Sequence, residues 1–94
     1  MFDDIVKRYH GKNTAKGHEV RATESKGILT VWYSRLPEEG GEHPNHIGIA
    51  RITENPNGVS VGWLRGTEPE PYSTTEFSTL DELFAAIDDA IAKV

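Results

Sequence analysis

The sequence predicts an α+β fold: a four- or five-stranded antiparallel meander sheet, with a short N-terminal helix and a longer C-terminal helix packed on one face. Three observations carry that prediction. Residues 2–9 and 78–94 place their apolar side chains at helical spacing. Between them lie runs rich in β-branched and aromatic residues. Two turn sequences, Ser25-Lys26-Gly27 and Asn55-Pro56-Asn57-Gly58, join neighbouring runs so directly that the runs must pair antiparallel.

In the first helix Phe2, Ile5, Val6 and Tyr9 fall on one face, Asp3 and Asp4 complement the dipole of the first turn, and Gly11 is a natural stop. Residues 11–17 are polar and carry no period. Glu19–Glu24 alternates, with Val20 and Ala22 on one side, and Ile28–Leu36 has the composition of a strand covered on both faces. Residues 36–45 read as a loop. In the third strand Ile47, Ile49 and Arg51 should point one way and Gly48, Ala50 and Ile52 the other. Asn57-Gly58 supplies the positive φ of a tight hairpin, after which Val59, Val61 and Trp63 form one face of a fourth strand. Tyr72–Phe77 reads as a fifth strand or an extended lead-in. Thr79-Leu80-Asp81-Glu82 has the capping-box form that starts the last helix. Its apolar stripe is Leu80, Leu83, Phe84, Ile87, Ile91 and Val94, with Asp81, Glu82, Asp88 and Asp89 opposite.

A chain of 94 residues suits one domain over 1–94 and leaves too little core for two. There is no cysteine, which removes disulfides, thiolate chemistry and cysteine-based zinc sites. The first residues are acidic where a signal peptide needs bases, and no run approaches the ~20 apolar residues of a membrane span. The expectation is a cytoplasmic protein with no membrane contact.

The net charge of −5 hides a gradient: residues 1–26 sum to +2 and residues 27–94 to −7. Between Gly66 and Asp89 there are seven acids and no Lys or Arg. Such a segment does not suit general nucleic-acid binding, which rests on bases neutralising phosphates.

Several residue groups carry candidate chemistry. His43 and His46, with Glu38, Glu39 and Glu42 close in sequence, have the donor types of a divalent-metal site but lie in a Gly-Gly- and Pro-containing loop. His10 and His18 flank the loop after the first helix without a marked catalytic partner. No nucleophile elbow or phosphate-binding glycine loop is present. Tyr33, Arg35, Arg51, Trp63 and Arg65 would make an aromatic-plus-arginine platform for nucleic acid if the sheet exposed them together. Finally, Glu68, Glu70, Glu76, Asp81, Glu82, Asp88 and Asp89 would present spaced negative charges to a basic groove.

These features lead to the expectation of a non-enzymatic protein-interaction module without a cofactor. Its acidic C-terminal half would occupy a basic, nucleic-acid-handling surface of another protein, as small inhibitors do, including those of phages and mobile elements. The alternatives are a nucleic-acid-binding sheet built on the arginine and aromatic residues, and a metal- or His-dependent enzyme centred on residues 42–46. An open sheet edge also leaves a homodimer as a prospect.

Overall fold

The computed structural model describes residues 2–35, 40–41 and 43–94. Its elements are α1 (Phe2–Tyr9), β1 (Val20–Ser25), β2 (Ile28–Arg35), β3 (Asn45–Asn55), β4 (Gly58–Trp63), β5 (Ser73–Phe77) and α2 (Leu80–Ala92). The strands form one antiparallel sheet in the order β1-β2-β3-β4-β5. The fifth strand is therefore present, starting one residue later than its composition suggests.

Strand alternation divides the sheet into two unlike faces. Val20, Ala22, Leu29, Val31, Tyr33, Ile47, Ala50, Ile52, Val59 and Val61 are buried on one face. Ile5 and Tyr9 from α1, with Leu83, Ile87 and Ile91 from α2, close over them. The two helices touch each other: the Tyr9 and Phe84 rings meet edge to face with centroids 6.0 Å apart. The other face carries Thr23, Thr30, Trp32, His46, Arg51 and Ser60 and has no helix over it.

The expected alternation of β3 is broken. A register shift opposite Val31 and Trp32 pairs Val31 with Ala50 but Trp32 with Gly48, so Ile49 is an extra residue on β3. A bulge of this kind inserts one residue and reverses the phase beyond it. Ile47 and Ile52, an odd number of residues apart, both reach the core, and Arg51 turns to the uncovered face. On the opposite side of β3 the chain after β4 extends the contact past the end of the β3–β4 ladder: Gly48 N–H donates to the Gly66 carbonyl oxygen at 3.0 Å. Close approach at Gly48 is required, since a Cβ there would lie 2.7 Å from Leu64 Cδ1.

The two hairpins solve their turns differently. Lys26 and Gly27 both have positive φ (53° and 81°), as a two-residue primed turn needs. In the second hairpin Pro56 holds its φ near −65°. Among the turn residues only Gly58 is positive, at 148°, and Asn57 is not. Asn55 Oδ1 instead accepts the Asn57 N–H at 3.0 Å, a side-chain turn that replaces the expected positive φ at Asn57.

Thr79 is the N-cap of α2, accepting the Glu82 N–H at 3.2 Å. Its hydroxyl in turn donates to the Glu82 carboxylate rather than leaving that carboxylate to take the backbone N–H. No helix among the described residues is long and apolar enough to cross a membrane.

Candidate functional site

A groove of about 580 Å³ lies where the C-terminal end of α2 passes the ends of β2, β3 and β4. Its volume lies within the range of small-ligand sites. Aromatic walls come from Tyr33, Trp63 and Tyr72, and charge comes from Arg35, Arg65, Lys93 and Asp89. Among the described residues that line it, three are cations and one is an acid, in a chain whose net charge is −5.

Local structure explains each placement. Tyr33 points inward by strand alternation, is buried, and its ring stacks on the His18 imidazole with centroids 5.1 Å apart. Trp63 ends β4, and its indole N–H donates to Thr75 Oγ1 at 2.9 Å, which fixes the ring against β5. Tyr72 follows Pro71 and is 55% exposed, the one exposed large hydrophobic side chain among the described residues. The Arg65 guanidinium lies 4.3 Å from the Tyr72 ring centroid, close enough for cation–π attraction. Lys93 Nζ is 3.0 Å from Asp89 Oδ2 one helical turn back, and that hydrogen bond raises the Lys93 pKa. The groove thus sets aromatic side chains beside Arg35, Arg65 and Lys93, an arrangement that can hold an anionic group beside a flat or apolar one.

Four of the five residues expected to form a nucleic-acid platform line this groove: Tyr33, Arg35, Trp63 and Arg65. Arg51 does not join them. It stands on the uncovered face and donates to the Pro69 carbonyl oxygen. The tryptophan on that face is Trp32, whose indole N–H donates to Thr23 Oγ1 at 3.0 Å. His46 lies over its ring at 4.5 Å with a tilt of 34°. A second depression of about 370 Å³ runs beside this pair, between Thr30, Arg51 and Glu68.

The seven acids do not converge on one surface. Glu76 points to the uncovered face, where Asn55 Nδ2 and Ser60 Oγ donate to its carboxylate at 2.9 and 2.7 Å. Glu68 borders the depression on that same face, and Glu70 is exposed in the adjoining loop. Asp88 faces α1 rather than solvent: Arg8 bonds it at 2.6 Å and the Tyr9 hydroxyl at 2.9 Å. The Arg8 hydrogen bond holds the Asp88 carboxyl below the usual carboxylate range, with Tyr9 assisting against partial burial. Burial, reinforced by Asp88, pushes the Tyr9 phenol well above its ordinary value. Asp89 pairs with Lys93, which leaves Asp81 and Glu82 as the exposed acids at the start of α2.

His43 is exposed, and His46 opens β3 against Trp32. Glu38, Glu39 and Glu42, which completed the candidate metal set, lie outside the described residues. Among the described residues no three His, Asp or Glu side chains gather as metal ligands. His10 has a backbone partner: Ala22 N–H donates to its Nδ1 at 3.1 Å. Sequence reasoning overlooked Tyr72 and Lys93. Only their flanking residues, a proline before Tyr72 and the end of the acidic run before Lys93, hinted at a change of environment. Comparison with known proteins found no matching family model, no similar curated protein and no similar solved structure.

Proposed function

We propose that the protein is a non-enzymatic interaction module, and that it binds an acidic segment of a partner protein in the groove beside the C-terminal end of α2. The observation that carries this reading is Arg65 stacked on the exposed Tyr72 in a groove that Arg35 and Lys93 also line. An arginine held flat on a ring keeps its N–H edge free for a carboxylate, and little side-chain entropy is lost on binding. The aromatic walls supply the apolar contact that anchors a protein segment, with Tyr and Arg in the roles typical of energetic centres.

A second reading keeps the acidic residues as the contact. Asp81 and Glu82 are exposed in the first turn of α2 and would meet a basic surface on a nucleic-acid-handling partner. One experiment separates the two. Partners are captured from the source cell with wild type, with Arg65→Ser/Tyr72→Ala, and with Asp81→Asn/Glu82→Gln. Loss of a captured protein only in the Arg65/Tyr72 variant supports the groove. Loss only in the Asp81/Glu82 variant moves the function to the helix. Capture of nucleic acid without protein defeats both.

A further inference from the structure

The sheet has two edges, and the chain treats them differently. Ser25 and Ile28 close a two-residue turn, so antiparallel alternation directs the N–H and C=O of Val20, Ala22 and Glu24 away from β2. That edge is covered at Val20 and Ala22. Val20 N–H donates to the Lys12 carbonyl oxygen and its own carbonyl accepts Gly11 N–H, both at 2.7 Å. His10 Nδ1 takes the Ala22 N–H, and Asn13 bridges to Glu19.

At the other edge Leu64 N–H donates to the Ile49 carbonyl oxygen, which places the even-numbered residues of β4 toward β3. Val59, Val61 and Trp63 then face β5 and pair with Phe77, Thr75 and Ser73. Thr74 and Glu76 are left directing their N–H and C=O groups outward, and among the described residues no backbone group bonds them. The β4–β5 loop folds the other way, over the uncovered face, where Arg51 holds Pro69. It does not shield this edge.

We propose that β5 is a self-association edge, on which a second copy of the chain pairs its own β5 antiparallel about a two-fold axis near Thr75. In that register Thr74 of one copy faces Glu76 of the other, and each such pair exchanges both backbone hydrogen bonds. Glu76 is set against a threonine rather than against its own equivalent, so no like charges stand directly opposite. Charge favours the same arrangement. Arg65 and Lys93 lie at the Ser73 end of β5, and the acidic first turn of α2, with Asp81 and Glu82, follows the Phe77 end. The two-fold axis brings the cationic end of each copy toward the acidic end of the other.

The inference is independent of the groove reading, and its test uses the purified chain alone. Sedimentation equilibrium of wild type should show a monomer–dimer equilibrium with a dissociation constant on the order of 100 µM, weak because the edge is short. Thr74→Pro removes an outward donor without touching β4, and should sediment as a monomer with an unchanged circular-dichroism spectrum. Asp81→Lys/Glu82→Lys should weaken the dimer about tenfold, and adding Lys93→Glu should recover affinity. Amide exchange at Thr74 and Glu76 in wild type should slow as concentration rises. A wild type monomeric to about 1 mM overturns the proposal, as does a dimer that survives Thr74→Pro or exchange at those two amides that ignores concentration.

Discussion

Asp88 and Asp89 are neighbours of the same chemistry, yet α2 turns them to opposite flanks with opposite consequences. Asp88 faces α1 and is held by Arg8 and Tyr9, so its charge ties the two helices through a contact between residues 80 apart in the chain. Asp89 lines the groove and, among the described residues, pairs with Lys93, one turn along the same helix. The difference teaches that an acidic residue's role here is set by what stands across from it. A contact distant in sequence restricts the chain, whereas a pair one turn apart adds little to what the helix already enforces.

The comparison is broken most severely at the residue between the two flanks. Ile87 is fully buried beneath both, and Ile87→Ala should destabilise the fold by about 2–5 kcal/mol in chemical denaturation. If the loss were below ~1 kcal/mol, α2 would not be the shared support of the two flanks. Next, Tyr9→Phe removes one hydroxyl from the α1 flank and nothing from the groove. It should cost about 1–2 kcal/mol, since the ring stays in place while the Asp88 carboxylate loses the phenol's one donated hydrogen bond.

Acid sharpens the same contrast. Asp88 has a folded-state pKa below its ordinary value of 3.8, so it binds a proton more readily unfolded than folded. Its contribution to stability is therefore present above pH 3.8 and lost as pH falls through the lowered folded value. Asp88→Asn should flatten the fall in stability below about pH 4. Smallest of all, Lys93→Ala should leave the thermal midpoint within error, because both members of its ion pair are largely exposed. A marked loss there would mean that the groove flank is also structural.

Much of the fold was legible in the residues. Helical spacing located α1 and α2, and Thr79 marked where α2 starts because its hydroxyl can accept one of the first free N–H groups. Alternation placed Val59, Val61 and Trp63 on one face of β4. The phase of β3 was not legible: the isolated Gly48 marks a bulge or a close backbone approach, but which residue is the extra one depends on pairing with β2. The groove was legible in part. Tyr33, Arg35, Trp63 and Arg65 stood out as residue types, but their assembly without Arg51 follows from that reversed phase.

The sequence by itself determined the elements, their order and the turns between neighbours, because periodicity, capping and turn chemistry act over a few residues. Tertiary structure alone decided which tryptophan lies on the uncovered face, which acids are tied down and which stay exposed, and that Arg65 reaches Tyr72. Those outcomes depend on groups brought together from distant parts of the chain, and their energies exist only once the sheet has fixed both partners in place.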